Sequence, residues 1–183
     1  EQRCRPAERR QAIDRFNAGH DELKKGMAIM PICFGISFTN TMLNQANALV
    51  HIYNDGSVGV STGAVEMGQG VHEKLRAIAA RCLGIRIERI RIESTNTTRN
   101  ANTSATAAST GADMNGHAVR IACEVLLARL RPFIARLAGL DQEGLVTIRR
   151  EQIQAGERLL PYTWEKLIAA AWAARISLSA HGH

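Results

Sequence analysis

The feature that most constrains the fold is a pair of apolar, β-branched segments separated by a short turn. The segments cover residues 48–53 and 57–61, and Asn54-Asp55-Gly56 lies between them. Asp-Gly is a preferred turn dipeptide in β-hairpins because both residues tolerate positive φ. The sequence therefore predicts a β-hairpin over residues 48–61. His51 alternates with apolar neighbours, so we expect an outward-facing strand residue and not a ligand.

The second strand runs into a glycine-rich stretch, residues 62–70, which leads to an amphipathic helix predicted over Val71–Leu83. Glycine lets the backbone approach a ligand closely, and the free N–H groups of a helix start favour an anion. Gln69, between Gly68 and Gly70, adds an amide that can both donate and accept hydrogen bonds. The stretch predicts a seat for a phosphorylated or heterocyclic ligand. A plain strand–turn–helix connection is the alternative that this stretch alone leaves open.

A second segment, residues 95–109, consists almost entirely of hydroxyl, amide and small side chains. It leads into a long helix predicted over residues 109–137, with a bend or restart past Pro132. A disordered polar loop is the alternative interpretation. Because a helix start follows, the segment also fits a second anion-binding turn, and two such turns in one chain favour a ligand site. Asp113 fits the helix dipole there and needs no catalytic role.

The rest of the chain completes the predicted order of elements. Residues 85–94 indicate a strand, so the region from residue 57 to residue 94 has a β-α-β order. Extended structure is predicted over residues 27–43, and short strands over 144–148, 151–154 and 176–180, with a turn at 155–157. A last helix follows Pro161, with Thr163 as its cap and with Trp164, Leu167, Ile168 and Trp172 inward. The predicted fold class is α+β.

The N-terminal part differs in composition from the remainder. Residues 7–25 predict a polar helix that ends at Gly26. We therefore expect a connector over residues 1–25 and one domain-like segment over residues 26–183. The first residue is not Met and a strand-like segment lies next to the last residue. These two features lead us to expect that the natural chain continues at both ends.

Composition and charge exclude several classes of protein. The net charge is +6, but the arginines are scattered at helical spacing and only 4% of residues are aromatic, which disfavours nucleic-acid binding. No apolar run approaches the roughly 18 residues that a membrane span requires. The four cysteines, Cys4, Cys33, Cys82 and Cys123, have no C-x-x-C spacing. They predict reduced thiols and a cytoplasmic protein.

Four stretches together resemble the molybdenum-binding part of the xanthine dehydrogenase family. They are Phe-Gly-Ile-Ser-Phe-Thr at residues 34–39, Leu-Asn-Gln-Ala at 43–46, the glycine-rich stretch at 63–70, and Asn-Thr-Ser-Ala-Thr-Ala-Ala-Ser at 102–109. They occur in the family's order and spacing, and the resemblance covers residues 7–182. It implies a segment of a molybdopterin-binding domain. The implied cofactor is molybdenum–molybdopterin, with the dinucleotide form left open, and FAD and 2Fe-2S clusters are implied on other domains or subunits.

The resemblance also implies roles for single residues. The implied substrate-binding residues are Phe38, Thr39, Asn40, Met42, Leu43, Ala107 and Ala108. The implied cofactor-binding residues are Gly68, Gln69, Gly70, Thr106, Ala107, Ala108 and Ser109. The resemblance further implies that the pterin dithiolene, and no side chain of this segment, holds the metal. The family's catalytic glutamate lies in a Gly-Glu-Pro context that this chain lacks, so no catalytic residue is implied in this segment.

The implied activity is oxidation of hypoxanthine and xanthine to urate, with water as the source of oxygen. The implied partners are the purine, the remaining segments of the molybdenum domain, and flavin and iron–sulfur domains or subunits. A sibling enzyme of the aldehyde oxidase or carbon monoxide dehydrogenase type is the alternative enzyme. A basic anion-binding module without enzymatic activity is the alternative of a different class.

Overall fold

The computed structural model describes residues 5–28, 30, 35–100, 102–141 and 145–183. The chain forms two compact units, Glu1–Gly35 and Ile36–His183. In the part of the chain just given, no helix is long and apolar enough to cross a membrane. Cys82 and Cys123 are free thiols, and burial raises the pKa of Cys123, while Cys4 and Cys33 lie outside the described residues.

The described residues of the first unit contain one helix, α1 (Pro6–Ala18), which carries its proline in the first turn. The predicted helix over residues 7–25 is therefore too long. Past Gly19 the chain folds back, because the Asn17 side chain donates to Lys25 O and accepts from Lys25 N, both at 2.8 Å. The Lys25 ammonium lies 3.8 Å from the centre of the Phe16 ring. These contacts replace the last turns of the predicted helix.

The second unit is organised around a four-stranded sheet. Its strands are β1 (Ala48–Ile52), β2 (Val58–Thr62), β3 (Ile90–Ile92) and a last strand, Ser179–Gly182, and their order is β3, β2, β1, then the last strand. The hairpin prediction is confirmed, with Ile52 opposite Val58. The β-α-β prediction is confirmed as well, because β2 and β3 are parallel and the helix α2 (Val71–Leu83) joins them. His51 is half-buried, on the less buried face of β1.

The long helix α3 (Gly111–Ala138) packs across this sheet and against α2. It continues through Pro132, so the helix does not restart there, while the alternative of a bend stays a prediction. The residues around the proline are held in the core, since Leu130, Phe133 and Ile134 are buried, and this packing offsets the lost helix hydrogen bond. Mixed helices and strands in this arrangement confirm the α+β class.

Two predicted strands are shorter or displaced. Within residues 85–94 only β3 is a strand, because Ile87–Arg89 forms a 3₁₀ turn whose Ile87 carbonyl accepts from Arg76. The final strand begins at Ser179 and not at residue 176, since Ile176 N still bonds to Ala171 O at the end of the preceding helix. In the described part of residues 27–43 there is no strand, and Thr41–Leu43 is a 3₁₀ turn capped by Asn40.

The preceding helix, α4 (Trp164–Ala173), starts as predicted, with Thr163 Oγ1 accepting from Lys166 N at 3.4 Å. Trp164, Leu167 and Ile168 are fully buried. The prediction that Trp172 faces inward is wrong, because this side chain is 61% exposed.

A small second sheet consists of β4 (Val146–Arg149), β5 (Gln152–Ala155) and β6 (Arg158–Leu159); the final strand of the main sheet is β7. Two short strands are thus confirmed, and the turn predicted at residues 155–157 is present at residues 156–157. A further turn, which was not predicted, lies at Arg150-Glu151, where φ is 48° and 66°. Gly144 lies outside the described residues. Glu151 accepts from Arg86 Nε at 2.9 Å and Arg89 Nε at 2.6 Å, and Arg89 also bonds to Glu165.

These ion pairs predict how stability depends on pH. Hydrogen bonding from Arg89 lowers the pKa of Glu151 to about 2, from an ordinary value of 4.5. A carboxyl with a depressed folded-state pKa stabilises the fold above its unfolded pKa, and this contribution disappears as the pH falls from about 4.5 to about 2. Glu151→Gln should therefore destabilise the chain at pH 7 and much less near pH 2, as measured by urea unfolding. An equal loss at both pH values would contradict this.

Candidate functional site

Three loop segments, residues 36–46, 63–70 and 102–110, meet at one end of the main sheet. Ser37 N donates to Ala108 O at 3.0 Å, and Ser104 N donates to Gln45 O at 3.1 Å. Val65 N donates to Thr106 Oγ1 at 2.9 Å. The three segments that carry the family-like motifs are therefore joined directly by hydrogen bonds.

The glycine-rich segment is fixed to the body of the unit on two sides. A Cβ atom at Gly63 would lie 2.7 Å from the Thr103 Cβ, so only glycine allows this approach. On the other side, the buried Thr62 hydroxyl bonds to Asn115 Oδ1 on α3 at 3.0 Å and accepts from Ala64 N at 3.2 Å. The segment is therefore held in one position relative to the start of α3.

The start of α2 is capped by the chain's own carboxylate. Glu66 Oε1 accepts from Gly68 N and Gly70 N, both at 2.9 Å, and Oε2 accepts from His72 N at 3.0 Å. These bonds, that from His72 first, lower the pKa of Glu66. The ligand seat predicted at this helix start stays a prediction. Glu66 already accepts from three of the backbone donors there, and its negative charge opposes a bound anion.

Gln69 holds the same turn from its other side. Its Oε1 accepts from Met67 N at 2.6 Å, and its Nε2 donates to Val65 O at 2.9 Å. Each end of the amide keeps one further hydrogen-bonding capacity, since an amide has two N–H donors and two carbonyl lone pairs. Gln69 can thus brace the loop and contact a ligand at the same time.

The start of α3 is open. Ala108 and Ser109 have left-handed φ angles of 52° and 57°, a strained conformation that is common at binding sites. Thr110 directs its hydroxyl to Ala107 O at 2.9 Å and caps no helix donor. Within the described residues, the backbone N–H groups of residues 111–113 therefore have no hydrogen-bond partner. This helix start can therefore accept an anion.

These two helix starts border a cleft of about 400 Å³. The residues that line it are Ile36, Met67, Gln69, Val71, Lys74, Thr106, Ala107, Ser109, Gly111, Ala112 and Asp113. Among the described residues, no carboxylate lies within ion-pair distance of the Lys74 ammonium, so its charge is free to meet a ligand. The cleft thus combines free N–H donors with one unpaired cation.

The structure brings part of the predicted set together. Of the cofactor-binding candidates, Gln69, Thr106, Ala107 and Ser109 line the cleft, while Gly68, Gly70 and Ala108 shape the loops beside it. The substrate-binding candidates Phe38, Thr39, Asn40, Met42 and Leu43 lie on the neighbouring loop and do not line the cleft. Asn44 holds that loop by accepting from Phe38 N at 2.8 Å and donating to Phe38 O at 3.0 Å.

Sequence reasoning did not predict the place of three residues in this site, Lys74, Glu66 and Asp113. Lys74 lines the cleft, and the available signal was its place one turn after Val71, on the same helix face. Glu66 was noted as a carboxylate within the glycine-rich stretch, but its role as the cap of α2 was not predicted. Asp113, assigned only to the helix dipole, also lines the cleft.

Comparison with known proteins identifies the family of the chain. The family model of the molybdopterin cofactor-binding domain matches residues 1–183, which is the whole chain. The chain belongs to this family. Its cofactor is therefore molybdenum–molybdopterin, and the open start of α3 with Lys74 fits the anionic part of such a group.

Relatives of known identity place this molybdopterin cofactor-binding domain among the molybdenum hydroxylases. The chain is 44% identical over 176 residues to a xanthine dehydrogenase of Emericella nidulans, covering 96% of this chain and 11% of that protein. It is 45% identical over 175 residues to aldehyde oxidase 2 of Macaca fascicularis, with coverage of 96% and 11%. The chain thus spans about a tenth of the length of these relatives.

Solved structures show the same fold. Quinoline 2-oxidoreductase from Pseudomonas putida 86 matches with a TM-score of 0.67 at 22% identity, over 75% of this chain and 18% of that one. A Cu,Mo-CO dehydrogenase matches with a TM-score of 0.66 at 23% identity and the same coverage. At this level of identity, the similarity concerns the fold alone.

Proposed function

We propose that this chain is the part of a xanthine dehydrogenase-type molybdenum hydroxylase that binds the anionic portion of molybdopterin and forms one wall of the purine pocket. The observation that supports the proposal is the uncapped start of α3 beside Lys74, in a chain that matches the cofactor-binding family over its whole length. The reaction converts a ring C–H bond to C–OH with oxygen from water and releases two protons and two electrons. When bound, molybdenum–molybdopterin supplies the redox centre that accepts those electrons.

In this proposal, the chain's own residues bind and orient the cofactor. The N–H groups of Gly111, Ala112 and Asp113 and the Lys74 ammonium meet the anionic portion of the cofactor. Gln69 contacts the cofactor with the part of its amide that the loop leaves free. Ser109 and Thr106 line the same cleft, and Thr106 Oγ1 ties it to Val65.

The substrate is assigned from the Phe38 loop. A flat purine ring requires an aromatic face, and Phe38 provides one on a loop that Asn44 holds at both backbone atoms. Ala107 and Ala108 lie beside this loop, because Ser37 N donates to Ala108 O, and their side chains are small. An aldehyde substrate is the second candidate, supported by the equally high identity to aldehyde oxidase 2.

The remaining machinery lies outside these residues in this proposal. Because the chain spans 11% of its relatives' length, the catalytic glutamate, the other molybdenum-domain segments and the flavin and iron–sulfur parts are assigned to the rest of the protein or to partner subunits. The free thiols of Cys82 and Cys123 support a place in the reducing cytoplasm.

Two substitutions in the full-length protein test the roles assigned to the two loops, because one should affect turnover of the substrate and the other should affect binding of the cofactor. Phe38→Ala should leave the molybdenum content near normal and lower kcat/KM for xanthine roughly 2–13-fold. This range corresponds to the loss of about 0.5–1.5 kcal/mol of ring–ring interaction, in addition to the effect of the smaller buried apolar area. Gln69→Ala should lower the molybdenum content, since it unties the turn at Met67 and Val65 and removes a cofactor contact.

Metal analysis and steady-state kinetics on each variant measure both effects. If Phe38→Ala loses molybdenum while Gln69→Ala retains it, the roles of the two loops are wrong. If the unmodified protein turns over aldehydes but not purines, the substrate assignment is wrong and the aldehyde alternative stands. A native protein that contains no molybdenum at all would leave only the basic anion-binding module.

A further inference from the structure

A second cleft, which the proposed function does not use, lies between the C-terminal end of α2 and the turn that joins β4 to β5. Its volume is about 920 Å³. Four arginines, Arg81, Arg86, Arg149 and Arg150, line it, and we name it the arginine cleft. No Asp or Glu is among the described residues that line it. Such a concentration of one charge sign produces a positive potential that attracts an acidic ligand.

Most of this positive charge is not neutralised. Arg86 pairs with Glu151 at 2.9 Å. In the part of the chain that the structure describes, Arg81, Arg149 and Arg150 have no carboxylate within ion-pair distance. A smaller adjoining cavity of about 200 Å³ shares Arg149 and adds Arg131, which is also unpaired by the same criterion. The positive strip therefore extends beyond the arginine cleft itself.

The turn that presents Arg150 is held rigidly at a conformational cost. Arg150 and Glu151 both have left-handed φ angles, which non-glycine residues rarely adopt. Glu151 N donates to Gly84 O at 2.9 Å, and a Cβ atom at Gly84 would overlap the carbonyl oxygen of Ile148. This backbone contact fixes the position of the turn relative to the C-terminal end of α2, which pre-organises the backbone of the cleft for a ligand.

The residues that line the arginine cleft favour a polypeptide as its ligand. Its floor is apolar, with Ala80 and Ile85 buried and Ile148 half-buried, while the charges stand around it. No aromatic side chain is among the described residues that line it, so nucleic-acid bases have nothing to stack on. We propose that the arginine cleft is a docking site for an acidic polypeptide segment, which places aliphatic groups on the floor and carboxylates against the arginines.

The test is photo-cross-linking in the full-length protein. A benzoylphenylalanine is introduced at Gln152, an exposed residue of the cleft on β5, and separately at Ala77 on α2. Mass spectrometry then identifies the cross-linked segment and the chain to which it belongs. We expect a segment with an excess of Asp and Glu, and we expect Arg149→Glu/Arg150→Glu to lower its yield by at least about fivefold. Raising the salt to about 0.5 M should lower the yield as well.

The matched control is Arg158→Glu/Arg175→Glu, which makes the same change in charge at exposed arginines that do not line the cleft. This variant should retain the cross-link. The proposal is overturned if both probes label no polypeptide, if the labelled segment has no acidic excess, if both double variants behave alike, or if the probes label nucleic acid instead.

Discussion

Replacing Trp164 with alanine should lower the free energy of unfolding by about 3–5 kcal/mol, the largest stability effect that we expect from one side chain. Trp164 is fully buried at the start of α4. Its Nε1 donates to Gly56 O at 2.7 Å, and its ring lies so close to Gly56 that a Cβ atom there would be 2.7 Å from Cδ1. The substitution therefore leaves a cavity and also removes the partner of a buried carbonyl at the hairpin turn.

The same helix supplies the control for this prediction. Trp172 is 61% exposed, so Trp172→Ala should change the free energy of unfolding by no more than about 0.5 kcal/mol. Urea unfolding of the 183-residue chain, followed by far-UV circular dichroism, measures both variants without depending on tryptophan fluorescence. Equal losses from the two substitutions would contradict the packing described for α4.

Placing a carboxylate at the open helix start should have the largest effect on the cofactor. A Cβ atom at Gly111 would lie 3.5 Å from Val71 Cγ2 and 3.8 Å from Thr106 Cγ2, so a side chain fits there. Gly111→Asp would cap α3 as Glu66 caps α2, which favours the helix but repels an anionic ligand. We expect the molybdenum content of the full-length protein to fall on the order of tenfold, because the new carboxylate repels the anionic part of the cofactor.

Gly111→Asn provides the matched control for this prediction, since it has nearly the same shape and no charge. It should retain most of the molybdenum, as measured by metal analysis of purified protein. If both variants lose molybdenum equally, crowding and not charge is responsible. If both retain it, no anionic group of the cofactor binds at the start of α3.

The elements that depend on local sequence could be predicted. The hairpin follows from alternation and an Asp-Gly turn, and α2 follows from apolar periodicity with Gly84 at its end. The helix α4 was predicted, but its buried face was predicted to include Trp172, which is exposed. At 3.6 residues per turn, Trp172 lies about 80° around the helix from Trp164, at the edge of the apolar stripe.

The features that were not predicted depend on contacts between distant residues. The Arg150-Glu151 turn contains no glycine or asparagine and exists because Glu151 bonds to arginines more than 60 positions earlier. The cap on α2 could not be predicted from the sequence, because it depends on a loop conformation that brings donors from residues 68–72 to one carboxylate, that of Glu66. For the same reason, the sequence did not indicate that a carboxylate of the chain itself lies at the first of the two predicted anion seats.

Amide hydrogen exchange in the full-length protein, with and without bound molybdopterin, tests most directly where the cofactor binds. The predicted result is slower exchange at Gly111, Ala112 and Asp113 in the cofactor-bound protein, since their N–H groups gain a partner. The amides of Gly68, Gly70 and His72 should change little, because Glu66 already binds them. Protection that appears at residues 68–72 while residues 111–113 stay unchanged would contradict the assignment of the anion site to α3.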